Sequence, residues 1–212
     1  MKNKEPEFKH LIDEGLLDVQ TGRVIDLEDA HNNLPNDSYM QEKALIVGSN
    51  LSICFFDKSM VYDVWQNSLD EDNRKYVPDE VFETLEEAQE VIKELIASYS
   101  SKDGPFVYAV IRNKDKANLG YVQLVKIQEG WEIGYHIAKI YTGKGYATEA
   151  VNLFLNYLEA KTDIKQIYGI ALKTNKASKR VLEKTGFKTI YEGPGIYQGK
   201  RRQIIKAIKE LK

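Results

Sequence analysis

The stretch I-Y-T-G-K-G-Y-A-T-E-A, residues 140–150, decides how the rest of the chain is interpreted. It joins a strand-like run over residues 131–138 to a helix-like run that starts near Gly145. Backbone N–H groups in the first turn of a helix lack intrahelical partners and carry the positive end of the helix dipole, so a phosphate can bind there. Gly143 and Gly145 would let that phosphate approach the main chain closely. An ordinary tight connection between a strand and a helix is the alternative.

The composition is that of an ordinary globular protein. With 212 residues, the chain is long enough for one sizeable domain or for one domain with an appendage. No apolar run approaches the roughly 20 residues of a membrane span, and the charged opening lacks the apolar segment of a signal peptide. We therefore expect a cytoplasmic protein without a membrane partner. Cys54 is the only cysteine, so an intrachain disulfide is excluded, a cysteine zinc site is disfavoured and no metal is predicted.

The two halves of the chain differ strongly in charge. Residues 1–100 carry 9 Lys and Arg against 22 Asp and Glu, whereas residues 101–212 carry 21 against 10. The basic half contains the candidate phosphate turn and the acidic half could attract a cation, which favours a polyanionic cofactor and an amine as ligands. Solvated faces that serve solubility are the alternative. Nucleic acid is not expected, because the basic residues are dispersed rather than clustered with aromatics.

Two regions are predicted, an N-terminal appendage over residues 1–48 and a folded domain over residues 49–212. The appendage has a hairpin-like pattern around Thr21 and Gly22, and it would pack on the domain or on a second subunit, so a homodimer is a candidate assembly. The acidic stretch 68–80 has two interpretations. It is either a solvated loop or a rim whose carboxylates attract a cation, the latter formed by Asp70, Glu71 and Asp72.

The pattern of apolar residues predicts an α/β domain. Helices are expected over residues 58–67, from Thr84, which with Glu87 makes a capping box, from Gly145, and from Thr174 or Asn175 to Gly186. Strands are expected over residues 51–56, 106–111, 120–127, 131–138, 165–172, 187–192 and 203–208. Three strands in succession before the glycine turn form an antiparallel meander, and this order, with Thr148 in place of a third glycine, argues against a dinucleotide-binding fold.

Glu132 occupies the middle of the strand before the glycine turn. Strand alternation places Trp131, Ile133, Tyr135 and Ile137 on one face and Glu132, Gly134 and His136 on the other. An exposed carboxylate is the ordinary interpretation of such a position. Because Glu132 precedes the phosphate turn by only one strand, it is also a candidate general base.

Together these motifs resemble the GNAT N-acetyltransferases, and within them the RimJ/RimL-like branch. T-G-K-G-Y-A, residues 142–147, resembles the pyrophosphate turn of the family, with Thr142 where most members have Gln or Arg. W-E-I-G-Y-H-I, residues 131–137, resembles the preceding central strand, and N-K-A-S-K-R-V-L-E-K-T-G-F, residues 175–187, resembles the later motif. The resemblance covers residues 51–208 and implies a central mixed, mostly antiparallel twisted sheet flanked by helices.

The resemblance implies acetyl transfer from acetyl-CoA to a primary amine, either a protein N-terminus or a small amine. Glu132 would be the base, acting through a water, and Asn175 would hydrogen-bond the cofactor. Main-chain groups of Ile137 and Ala138 would bind the pantetheine arm. The pyrophosphate would lie on the backbone N–H groups of five residues, which are Gly143, Lys144, Gly145, Tyr146 and Ala147.

Protonation of the departing thiolate is left open by the sequence. Many relatives have a tyrosine seven residues after the asparagine, and here that position is Leu182. Ser178, which also faces the expected cofactor, or Tyr135 would replace it, or no residue does, since a thiolate is a good leaving group. The rival hypothesis is a noncatalytic acyl-CoA-binding or interaction module, and the missing tyrosine is its best support.

Overall fold

The computed structural model describes residues 44–212, and in this part of the chain one eight-stranded sheet carries helices on both faces. Its strands are β1 Ala44–Val47, β2 Leu51–Cys54, β3 Phe106–Arg112, β4 Asn118–Ile127, β5 Gly130–Ile137, β6 Gln166–Leu172, β7 Lys188–Tyr197 and β8 Lys200–Glu210. They lie in the order β1-β2-β3-β4-β5-β6-β8-β7. Neighbours are antiparallel except β5 and β6, which are parallel. The predicted mixed, mostly antiparallel sheet is confirmed.

Five α-helices connect the strands of the described part. They are α1 Val61–Ser68, α2 Glu71–Tyr76, α3 Leu85–Ser98, α4 Tyr146–Lys161 and α5 Lys176–Lys184. The capping box predicted for α3 is present: the Thr84 hydroxyl accepts a hydrogen bond from the Glu87 N–H, and the Glu87 carboxylate accepts one from the Thr84 N–H. The capping residue of α5 is Asn175, whose side chain accepts a hydrogen bond from the Ser178 N–H.

The two faces of the sheet pack against different helices. On one face, Ile133 and Ile137 of β5 join a buried cluster with Val151 and Phe154 of α4. On the other face, the sheet meets α1, where the Asn67 side chain donates a hydrogen bond to the Asn118 carbonyl at the start of β4. Strand alternation directs the odd-numbered Tyr121 and Gln123 and the even-numbered Glu132 and His136 toward this second face.

The acidic stretch before α3 is not the loop that was predicted. Residues 71–76 form α2, and Pro78–Glu80 form a 3-10 turn. Asp70 caps α2 by accepting a hydrogen bond from the Asn73 N–H at 2.8 Å, and α2 has acidic residues in its first turn and basic residues in its last. That charge order matches the helix dipole and is the signal in the sequence that predicts a helix here.

Two of the three carboxylates of the candidate cation rim have partners within the chain. Asp70 accepts a second hydrogen bond, from the backbone N–H of Lys139 at 2.9 Å. Asp72 pairs with the Lys139 side chain, with 2.7 Å between carboxylate and Nζ. Both groups therefore hold α2 against the segment that follows β5, and a ligand would compete with these contacts.

The sheet begins before residue 49. Ala44–Val47, which sequence analysis places in the appendage, pairs antiparallel with β2 as the edge strand β1. The hairpin predicted around Thr21 and Gly22 lies outside the described residues. Within residues 44–212, no helix has the length and apolar character that a membrane crossing requires. The same residues contain no cluster of three His, Cys, Asp or Glu side chains that could bind a metal ion.

Candidate active site

The glycine turn before α4 has the backbone expected of an anion site. Gly143 and Gly145 have φ angles of 77° and 86°, in the left-handed region that favours glycine. Gly145 is the N-cap of α4, and no side chain caps this end of the helix. A Cβ built on either glycine meets no atom within 4 Å, so the space beside the turn is open. The sixteen-residue helix thus presents an uncapped positive end to open space.

A cleft opens where β5 and β6 diverge. The two strands pair at Trp131–Ile167 and Glu132–Tyr168, and no further pairs continue toward Ile137. The cleft has a volume of about 730 Å³ and lies between β5, β6, the α2 region, the N-terminus of α5 and the tip of the β7–β8 hairpin. Backbone groups on the facing edges of the two strands are therefore available to a ligand in the gap.

Glu132 lies at the point where these strands separate. Its carboxylate lies near the backbone N–H of Ile170, on the facing strand β6. Burial raises the pKa of Glu132 to about 7, although the positive charge of Lys206 and the nearby Ile170 N–H act in the opposite direction. A carboxylate with this pKa is ionised in half of the molecules near neutral pH and can take up a proton there, which is what a general base requires.

Tyr135 and Ser178 form a closed hydrogen-bonded pair on the wall of the cleft. The Tyr135 hydroxyl lies 2.9 Å from the carbonyl oxygen of Ser178 and 2.9 Å from its Oγ. Because the carbonyl can only accept, the Tyr135 proton goes to it and the Ser178 hydroxyl donates to Tyr135. Burial also raises the pKa of Tyr135 above its usual range. Neither hydroxyl proton is directed into the cleft in this arrangement.

A family model described as "Acetyltransferase (GNAT) domain" matches residues 58–188, more than half of the chain. The chain belongs to the GNAT acetyltransferase family. The resemblance inferred from the turn, the central strand and the later motif is confirmed by this match. The GNAT fold predicted from that resemblance is confirmed by the eight-stranded mixed sheet.

Named relatives and solved structures are consistent with the GNAT assignment. The chain is 34% identical over 90 residues to the probable N-acetyltransferase YjcK of Bacillus subtilis, covering 41% of this chain and 50% of YjcK. A GNAT-family acetyltransferase from Bacillus anthracis superposes with a TM-score of 0.68 at 24% identity, over 78% of this chain and 97% of that one. RimL, a ribosomal L7/L12 alpha-N-protein acetyltransferase solved with coenzyme A, superposes with a TM-score of 0.67 at 16% identity, over 80% and 98%.

The predicted cofactor-binding residues of the GNAT domain are not all in the same position relative to the cleft. Ile137, Ala147, Asn175 and Ser178 line it. The turn residues Gly143, Lys144, Gly145 and Tyr146 lie outside its lining. The Ala138 N–H donates to the Leu119 carbonyl at 2.8 Å, so it is already paired within the chain.

Leu182 has a packing role in this GNAT domain. Its side chain is 3% exposed and lies against Gly169 of β6, where a Cβ would approach the Leu182 Cδ2 to 2.6 Å. The absence of a side chain at Gly169 therefore makes room for the leucine. Since leucine has no proton to give, the position at which many relatives have a tyrosine contributes no acid here.

Four cleft residues of the GNAT domain were missed by sequence reasoning: Glu80, Tyr121, Gln123 and Tyr197. Glu80 was assigned to a polar connection, Tyr121 and Gln123 to a strand without a functional role, and Tyr197 to the connection between the last two strands. Their meeting depends on contacts between segments about 40 and more residues apart in the chain. Of these four residues, only Tyr121 and Gln123 could have been found from the sequence. Strand alternation places them on the same face of the sheet as Glu132 of the paired strand.

Proposed function

We propose that the protein transfers an acetyl group from acetyl-CoA to a primary amine. The observation that carries this proposal is the placement of Glu132, a mostly buried carboxylate at the point where β5 and β6 separate, within a GNAT domain. RimL, a ribosomal L7/L12 alpha-N-protein acetyltransferase of the same fold, was solved with coenzyme A. A protein N-terminus is therefore one candidate acceptor, and a small amine is the other.

The residues of the turn and cleft fit the donor. Acetyl-CoA would supply an activated acetyl group on a thiolate leaving group. The open left-handed turn at Gly143 and Gly145 would hold its pyrophosphate on the uncapped end of α4. The unpaired inner edge of β5 near Ile137 would hold the pantetheine arm, and Asn175, which caps α5 with its Oδ1, keeps its side-chain amide N–H groups available to the cofactor.

The proton chemistry falls to Glu132. A primary amine is an ammonium ion near neutral pH and becomes a nucleophile only after it loses a proton. Glu132 takes that proton, directly or through a water, and the amine nitrogen then bonds to the acetyl carbonyl carbon while the carbon–sulfur bond breaks. The nitrogen loses its second proton in this step, and that proton neutralises the thiolate after it has left. The Tyr135 hydroxyl donates to the Ser178 carbonyl, and the Ser178 hydroxyl donates to Tyr135. Neither group is therefore placed to protonate the sulfur, which leaves as a thiolate.

Thiol release tests the proposal directly. Purified protein is mixed with acetyl-CoA and one of a panel of acceptors: short peptides with N-terminal serine, alanine or methionine, and spermidine. Free thiol is then followed with a thiol reagent. We expect release that depends on the acceptor, together with a rise in melting temperature on adding acetyl-CoA alone. A rise in melting temperature without release from any acceptor would instead support the noncatalytic acyl-CoA-binding module.

A further inference from the structure

Glu80 lines the same cleft as Glu132. It ends the 3-10 turn Pro78–Glu80, which follows α2, and it is mostly buried. Its carboxylate accepts a short hydrogen bond from the Tyr121 hydroxyl, and the nearby Gln123 side chain acts to lower its pKa. Both side chains project from β4, the strand that pairs with β5. The sheet therefore fixes the position of a carboxylate that belongs to the helical layer.

Gly134 makes room for one of these side chains. Gln123 lies opposite Gly134 in the β4–β5 register. A Cβ built on Gly134 would approach the Gln123 Nε2 to 2.5 Å and its Cγ to 2.7 Å, so the glutamine side chain occupies the space that a side chain at Gly134 would fill. The glycine in the central strand therefore lets Gln123 lie flat across β5 and reach Glu80.

Glu80 and Glu132 act on the same space. Both line the cleft, and so does Tyr197 at the tip of the β7–β8 hairpin. Burial raises the pKa of Tyr197 to about 12, and the negative charges of Glu80 and Glu132 contribute to this rise. The cleft that these three side chains line is therefore the space in which a bound cation could interact with both carboxylates.

Within residues 44–212, no lysine, arginine or histidine forms an ion pair with Glu80. Burial raises the pKa of this carboxyl to about 7, with a further contribution from the neighbouring charge of Asp79. A desolvated carboxylate without a cation is unfavourable in its ionised form, and an external cation in contact with it would relieve that cost. The cleft thus offers a fixed anionic group to a cationic ligand.

We propose that Glu80 binds the ammonium group of the acceptor and so selects cationic amines as substrates. This inference rests on the proposed acetyl transfer. The ammonium ion is held at the Glu80 carboxylate, one of its protons passes to Glu132, and the freed nitrogen forms the amide bond as the carbon–sulfur bond breaks. The second proton that the nitrogen loses goes to the departing thiolate. The acetylated product is a neutral amide and has no charge for Glu80 to hold. The same carboxylate therefore attracts the substrate and favours release of the product.

The test is the steady-state kinetics of Glu80→Gln at pH 8, with the acceptor from the panel above that the wild type uses best. We expect the KM for the acceptor to rise tenfold or more, because a charge-assisted contact becomes a neutral one. The KM for acetyl-CoA should stay within about twofold and kcat within about threefold, since the donor site and Glu132 are untouched. Asp79→Asn is the matched control: it removes one charge from an exposed side chain of the same 3-10 turn and should leave both KM values unchanged.

Gly134→Ala provides a second arm that keeps Glu80 itself. The added methyl group must displace Gln123, so the KM for the acceptor should rise several-fold while acetyl-CoA still raises the melting temperature. An unchanged acceptor KM in Glu80→Gln, or equal rises in both KM values, would overturn the inference alone. If Glu80→Gln does not fold, an unchanged acceptor KM in Gly134→Ala would overturn it. If no acceptor supports thiol release by the wild type, the proposed function and this inference both fail.

Discussion

The two sides of the cleft are built in different ways. The proposed donor side consists of main-chain groups at the glycine turn and along the β5 edge, together with the Asn175 side chain at the start of α5, and most of it comes from contiguous sequence between residues 137 and 147. The proposed acceptor side consists of side chains from the 3-10 turn after α2, from β4 and from the β7–β8 hairpin. The donor side therefore depends on backbone conformation, whereas the acceptor side depends on charge and on packing between distant segments.

This difference predicts that substitutions on the two sides act on different kinetic constants. A change of backbone freedom at the turn should alter acetyl-CoA binding, and a change of charge at Glu80 should alter amine binding. Glu132 lies between them, so its loss should affect the chemical step itself.

The largest effect is expected for Glu132→Gln. The variant keeps the shape of the side chain and loses its capacity to accept a proton, so kcat should fall by roughly 10²- to 10³-fold, as for other general bases. The wild-type kcat should rise as the pH increases through about 7, because Glu132 must be ionised to act. The kcat of the variant should not show this rise. Kinetics from pH 5.5 to 9 measure both. A variant with wild-type kcat and pH profile would remove Glu132 as the base.

The next largest effect is expected on the unfolding free energy when Glu80, on the proposed acceptor side, is replaced. The folded-state pKa of Glu80, about 7, lies above the ordinary value of 4.5, so the folded protein holds this proton more tightly than the unfolded chain. The contribution of the protonated Glu80 carboxyl to the unfolding free energy is fully present below pH 4.5 and is lost as the pH rises through about 7. Glu80→Gln should match the wild type near pH 4.5 and exceed its unfolding free energy by about 1–3 kcal/mol at pH 8.

Chemical denaturation at both pH values gives this comparison. Glu83→Gln is the control, because Glu83 is exposed and its hydrogen bonds with Arg74 lower the pKa of its carboxyl, so its loss should bring no gain at pH 8. Equal unfolding free energies for Glu80→Gln and wild type at pH 8 would contradict a desolvated Glu80.

A smaller effect is expected on the donor side. Gly145→Ala places a side chain at φ 86°, which costs about 1–2 kcal/mol and distorts the turn. The KM for acetyl-CoA should rise about tenfold, whereas the KM for the amine stays near the wild-type value. Gly186→Ala is matched, since Gly186 also has a φ of 86° but lies after α5. It should lower the melting temperature similarly and leave the acetyl-CoA KM unchanged; equal kinetic effects of the two variants would remove the turn from the donor site.

The same comparison explains what the sequence could predict. The strands from Phe106 to Ile137, the capping box at Thr84 and the helix after Gly145 were predicted because each depends on local periodicity or on one glycine with a positive φ. Glu132 was predicted because it lies in the strand beside the turn. α2 was missed because it is short and polar, and its stability comes from an Asp70 cap and a matched charge order rather than from an apolar face.

Glu80 could not be predicted by the same means. Its placement requires that α2 form, that the 3-10 turn bring residue 80 over the sheet, and that Tyr121 and Gln123 project toward it from β4. The last condition is a tertiary contact between segments about 40 residues apart, and no periodic signal in the sequence links them. The burial that shifts its pKa is likewise a property of the assembled sheet and helices.

The vacancy at Gly134 has a consequence for how enzymes of this kind diversify. A methyl group there would reposition a neutral glutamine and, through it, the carboxylate that contacts the amine, with no charged residue changed and no contact to the glycine turn disturbed. A single substitution between two uncharged residues could then change which amine the protein prefers, while binding of acetyl-CoA stays the same. During evolution, substitution at this position could change the acceptor amine before Glu132, the proposed base, is replaced.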